Sequence, residues 1–203
     1  MKSIQEIVKN TIIIKKSEFI TTLIPCSDIN QVKKLIQQHS YDDASHNCYA
    51  YIIENNEKAS DDGEPSQTAG LPMLNVLQKQ HLNNIIAVVT RYFGGIKLGA
   101  GGLTRAYSQS VAEAVKVAHI VETEPVALYN ISIDYHFIKK FEHLVKMNNI
   151  KCIHTEYNEK VSYQCYIKND DFISQIQDLT SNQFECKKLR IDYIEKIDKS
   201  SNN

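Results

Sequence analysis

Residues Ile85 to Ala118, IIAVVTRYFGGIKLGAGGLTRAYSQSVAEAVKVA, constrain the fold more than any other stretch. The apolar run Ile85–Val89 predicts a strand buried on both faces. Leu103, Ala106, Tyr107, Ser110, Val111, Ala114, Val115 and Ala118 recur at helical spacing and predict an amphipathic helix over 102–118. Between the two lie five of the seven glycines of the chain: Gly94, Gly95, Gly99, Gly101 and Gly102. Two of its three arginines, Arg91 and Arg105, flank that loop, and Lys97 lies inside it. A glycine-rich turn feeding a helix N-terminus, with fixed cations beside it, predicts an anion site. The plainer alternative is a tight strand-to-helix connection whose glycines serve packing alone. No glycine here is followed by Lys and a hydroxyl residue, which excludes the P-loop. Gly99-Ala100-Gly101 runs into Gly102-Leu103-Thr104, which excludes the dinucleotide fingerprint. No nucleotide cofactor is indicated.

Charge narrows the partner. Residues 1–124 carry 12 basic and 13 acidic groups and residues 125–203 carry 11 of each, so bulk charge draws neither half to nucleic acid. Any such binding must come from a local patch. Five cysteines, odd in number and never as Cys-x-x-Cys, predict unpaired thiols in a reducing compartment. Ile12–Ile14 is too short for a signal-peptide core and no run approaches membrane-spanning length, so the expectation is a cytoplasmic, soluble protein.

Along the chain, residues 3–24 read as extended with a turn at Lys15-Lys16-Ser17, and Asp28 with Gln31 as a capping box before a helix to about His39. Residues 45–54 alternate as a strand with His46, Cys48 and Ala50 on one face. Residues 55–68 read as a polar loop, and Met73, Leu74, Val76 and Leu77 as the buried stripe of a helix. Pro125, within Glu122–Val126, marks a domain boundary. Beyond it the order β-α-β-β-α-β predicts a ferredoxin-like unit. The expected organisation is therefore α+β in two domains, 1–124 and 125–196, with 197–203 a disordered tail.

Two chemical readings compete at the first domain. His46 and the Asp61, Asp62, Glu64 loop could serve a hydrolase, with Cys48 as a nucleophile. However, strand neighbours i and i+2 stand about 7 Å apart, too far for a nucleophile–base hydrogen bond. The acidic spacing is not that of a calcium loop and no His pair has zinc spacing, so no metal is expected. The other reading gathers Arg91, Lys97 and Arg105, with Lys15 and Lys16 adjoining, on one phosphate cluster, with Tyr92 and Phe93 able to stack on bases. Their plainer role is to plug the core at a strand end.

HNCYAY (46–51), SDDGEPSQTAGLPMLNVL (60–77) and VVTRYFGGIKLGAGGLTRAYS (88–108) resemble the YigZ/IMPACT family across the first domain. The second half is similar by pattern to the smaller domain that bacterial members carry. The resemblance implies a first domain shaped like a ribosomal-protein domain, helices on a mixed sheet, and a second like a domain of elongation factor G. It also implies a part in translation, since the eukaryotic relatives are translation regulators. For this chain that means RNA or a ribosome-associated protein as partner, with a protein-only contact and the hydrolase as alternatives. Gln67 stands where the family usually has a small residue, and Glu18 where an arginine is common, which weakens a basic patch at Lys15-Lys16.

Overall fold

A computed structural model describes residues 1–196. The expected tail at 197–203 lies outside the described residues. The chain divides into two compact units, Met1–Thr123 with the described end from Glu195, and Glu124–Ile194.

The first unit runs β1 (Lys2–Ile4), β2 (Val8–Ile14), β3 (Ser17–Pro25), α1 (Val32–Gln38), β4 (His46–Ile53), β5 (Asn56–Ser60), α2 (Gly70–Lys79), β6 (Ile85–Tyr92) and α3 (Ala100–Val117). Its main sheet has the order β2-β3-β6-β4-β5. β6 is central, which is why the 85–91 run is buried throughout. The α+β class is as read from the sequence, but each of these pairings is antiparallel instead of mixed. A parallel bridge joins Lys2 to Leu82 outside this sheet. On one face α2 and α3 bury Phe19, Leu23, Cys48, Ala50, Ala87 and Val89 beneath Met73, Leu77, Tyr107 and Val111. The short α1 covers Ile24, Ile86 and Val88 on the other.

Asp28 caps as expected, accepting from the Asn30 N–H and from the Gln31 side chain. The polar 55–68 reading needs correction, because Asn56–Ser60 is a strand. It pairs with β4 from Tyr49↔Ser60 to Ile53↔Asn56. NEKAS has no apolar alternation, and an edge strand held by main-chain bonds needs none.

A long strand, β7 (Ile120–Ile133), joins the units, followed by α4 (Ile138–Met147), β8 (Lys151–Tyr157), β9 (Val161–Ile167), α5 (Asp171–Thr180) and β10 (Phe184–Glu195). The order β8-β9-β7-β10 is the split β-α-β arrangement of ferredoxin-like domains. Phe141, Phe172 and Ile176 pack on Ile131, Ile133, Tyr163 and Ile167. Glu122–Val126 is strand, not linker. Pro125 falls between the rungs to β1, which end at Glu122, and those to β9, which begin at Ala127.

The cysteine reading also changes. Cys152 and Cys165 stand opposite each other on β8 and β9 and form a disulfide. Pairing by register is invisible in sequence spacing. Cys26 and Cys48 are free and buried, Cys186 free and exposed. Among the described residues no helix is long and apolar enough to cross a membrane.

Candidate functional site

Arg91, next to last in β6, lies on the same face as Ala87 and Val89, and that parity turns its side chain inward. It is 5% exposed. Its Nη1 donates to Glu64 Oε1 at 2.5 Å and its Nη2 to Ser17 Oγ at 3.4 Å. The Tyr107 hydroxyl of α3 donates to the same Glu64 oxygen at 2.8 Å. Nε finds no hydrogen-bond partner; the guanidinium also lies over two rings, 5.5 Å from the centre of Phe19 and 5.6 Å from that of Phe93. Removing either partner of a buried pair of this kind would leave an uncompensated buried charge. Arg91 is therefore an internal pin tying β6, β3, α3 and the 61–70 loop together. The expectation that its charge faces a phosphate cluster is corrected, since Glu64 already neutralises it.

The acidic loop is spent in the same way. Asp61 Oδ1 accepts from the N–H groups of Ala69 and Gly70, and Oδ2 from Gln67. These are the open donors of the α2 N-terminus, where Ala69 offers no side-chain cap. Asp62 accepts from the Asn47 N–H at 2.5 Å. His46 holds the Asp62 carbonyl through Nδ1 at 2.8 Å, and its Nε2 stands 3.8 Å from Glu64. Cys48 Sγ lies 2.9 Å from the Asp61 carbonyl oxygen and 3.4 Å from the Tyr107 hydroxyl. Burial pushes the thiol up to about 12, so it stays protonated and offers no thiolate. The cysteine version of the enzyme reading is therefore left without an activated nucleophile. No group of three His, Cys, Asp or Glu suited to a metal is present among the described residues.

Asp61 gives a pH prediction. Partial burial raises its carboxyl, but the three backbone donors outweigh that and hold it below the ordinary aspartate value of 3.8. A depressed folded value contributes stability above the unfolded pKa and loses it as pH falls through the folded one. D61N should cost about 1 kcal/mol at neutral pH, the scale of a lost helix cap. In urea titrations the gap to wild type should close below about pH 4. A gap constant down to pH 2 or so would contradict the capping role.

The remaining predicted residues lie on the outside. Lys97 and Arg105 are exposed and form no ion pair among the described residues. The helix starts at Ala100, so Arg105 sits in its second turn and not its first. Gly99 caps α3 without a side-chain hydrogen bond, at φ 72°, and Gly101 and Gly102 form its first turn. Gly95 is also left-handed, at φ 82°. Lys15 and Lys16, at φ 46° and 66°, make the tight β2–β3 turn. That turn meets the glycine loop at Gly94, whose N–H donates to Ser17 Oγ at 3.2 Å. A Cβ added to Gly94 would stand 2.0 Å from the Lys16 carbonyl. Phe93 does not plug the core and is 50% exposed. Tyr92 points to the opposite face and donates to Asp43.

Comparison with known proteins assigns these features to a lineage. The Impact N-terminal domain matches residues 15–115, and a domain of unknown function, DUF1949, matches 131–183. The IMPACT family member YvyE of Bacillus subtilis is 39% identical over 202 residues, covering 96% of this chain and 93% of that protein. The chain belongs to the IMPACT family. The Escherichia coli family member YigZ is 36% identical over 151 residues, covering 71% of this chain and 74% of YigZ. Protein IMPACT of Rattus norvegicus is 35% identical over 95 residues, 42% of this chain and 29% of that protein. A crystal structure of a hypothetical protein superposes with a TM-score of 0.65 at 29% identity, covering 93% of this chain and 97% of the other.

Sequence reasoning missed the Glu64–Arg91–Tyr107 pin. Part of its signal was present: Arg91 shares the strand parity of Ala87 and Val89. Nothing in the sequence links Glu64 to it.

Proposed function

We propose that this protein is a cytoplasmic, non-enzymatic RNA-binding protein acting in translation, with its phosphate-contacting surface on the glycine-loop face. The observation that carries the reading is the seat of Gly94 against the Lys16 carbonyl, which sets a two-lysine turn directly beside the loop bearing Lys97. Lys15, Lys16, Lys97 and Arg105 are exposed cations with no acidic partner among the described residues. Behind them the exposed first turn of α3 presents backbone N–H groups with no capping side chain. Arg91 supports this surface from beneath and does not contact the ligand. IMPACT membership supports a place in translation through the role of its eukaryotic members.

Fluorescence anisotropy with a labelled single-stranded RNA across a salt series tests the reading. Replacing Lys15, Lys16, Lys97 and Arg105 together by alanine should weaken binding and flatten the salt slope by about 3, near 0.7 per lost contact. All four side chains are exposed or lie in turns, so the variant keeps its fold. Equal affinity and slope in the variant would overturn the RNA reading and favour a protein partner instead.

A further inference from the structure

We infer that the ligand of this surface is single-stranded RNA, held by an unpaired base stacked on the outer face of Phe93. The inference rests on the phosphate-binding reading above and adds the element that distinguishes a base-reading site from a simple cation patch. An aromatic residue following a buried strand ordinarily turns into the core, yet half of Phe93 is open to solvent. One face of the ring is occupied: the Arg91 guanidinium lies over it, 5.6 Å from the ring centre, and the same guanidinium lies 5.5 Å from the centre of Phe19.

The stack is rigid. Glu64 and Ser17 fix the guanidinium, and Tyr107 fixes Glu64. The Phe93 N–H donates to Ser45 Oγ at 3.1 Å, and the next N–H, that of Gly94, donates to Ser17. The backbone that carries the ring is thus anchored and one face of the ring rests on a fixed cation, which lowers the ordering cost that a stacking partner meets. A cation against one face of a ring leaves the other face for a flat π-system. Lys16 packs by its backbone against the residue after Phe93, which places the lysine turn beside the stacking site. Bases and phosphates alternate along a single strand, and this surface offers a ring next to cations. A duplex hides its base faces and cannot use the ring.

The test uses the full chain with three probes: a single-stranded RNA of about 12 nucleotides, the same sequence as a duplex, and inorganic polyphosphate. F93A should weaken single-strand binding by roughly 5–150-fold, the range for one stacked base. It should leave duplex and polyphosphate binding unchanged, because no charge is removed. F93L keeps apolar bulk without the π-face and should behave like F93A. The chain contains no tryptophan, so F93W carries a single indole reporter. Its emission should be quenched by the single strand and not by polyphosphate. Unchanged single-strand affinity in F93A, or an unquenched indole in an RNA-bound F93W, overturns the inference. If polyphosphate and RNA still bind through the four cations in those cases, the phosphate-binding reading stands alone. If none of the three probes binds the wild-type protein, both fall.

Discussion

Replacing Glu64 by alanine is expected to destabilise the first unit by about 3–5 kcal/mol, the cost of leaving one partner of a buried ion pair unmatched. Arg91 is 5% exposed and already has one unpartnered nitrogen, and among the described residues Glu64 is the acid it pairs with. The Tyr107 hydroxyl loses its acceptor in the same step. Domains of this size have only about 5–15 kcal/mol of stability in total, so the variant stands near its unfolding limit. Combining E64L with R91M removes both charges and should recover most of the loss, since apolar groups of similar volume replace a buried pair at little cost. Y107F, which leaves Arg91 paired, should cost only about 1 kcal/mol. Urea unfolding followed by circular dichroism ranks the three variants. A Glu64→Ala midpoint equal to wild type would show that the pin does not hold the fold together. In that case the rigid support for Phe93 is lost with it.

How much of this was legible in the sequence depends on range. Local patterns carried far. Of the predicted stripe, Leu103, Ala106, Tyr107, Ser110, Val111, Ala114 and Val115 are buried, because a helix face is set by spacing, while Ala118 lies just past the helix end and is only half-buried. The β2–β3 turn and the order of elements in the second unit were readable for the same reason. What was not legible depends on register and long-range pairing. Glu64 meets Arg91 across 27 positions, and Cys152 meets Cys165 only through strand register. At the site, the cation-bearing loop was found from its glycines. The role of its first arginine was not, because a sequence does not say whether a strand-end cation turns inward. The departure at Gln67 bears a backbone cost: φ is 61° there, a left-handed conformation that glycine adopts without the Cβ strain. Tyr92 and Phe93 were indistinguishable as letters, yet one meets Asp43 and the other faces solvent.

Adding one methyl group at Gly94 is expected to do more damage than adding it at Gly95, although only Gly95 has a left-handed backbone. A Cβ on Gly95 meets nothing within 4 Å, so G95A bears only the strain of φ 82°, about 1–2 kcal/mol. A Cβ on Gly94 would stand 2.0 Å from the carbonyl carbon and oxygen of Lys16 and 2.4 Å from the Ser17 nitrogen. Those atoms are backbone in a hairpin whose rungs extend from Val8↔Leu23 to Ile14↔Ser17, so they cannot step aside singly. Either the β2–β3 turn or the glycine loop must move as a unit. The expected loss is about 3 kcal/mol, at the upper end for overpacking, or roughly 9–14 °C in melting temperature for a unit of this size. The displacement also breaks the bond from the Gly94 N–H to Ser17 Oγ and parts Lys15 and Lys16 from Phe93 and Lys97. G94A should therefore weaken single-stranded RNA binding at temperatures where it is still folded, although it removes no charge and no ring. G95A should bind as wild type does. Thermal melts rank the stabilities and anisotropy below both transitions ranks the affinities. A G94A protein that melts and binds like wild type would show that the two turns are not seated on one another, and the shared surface would then have no basis.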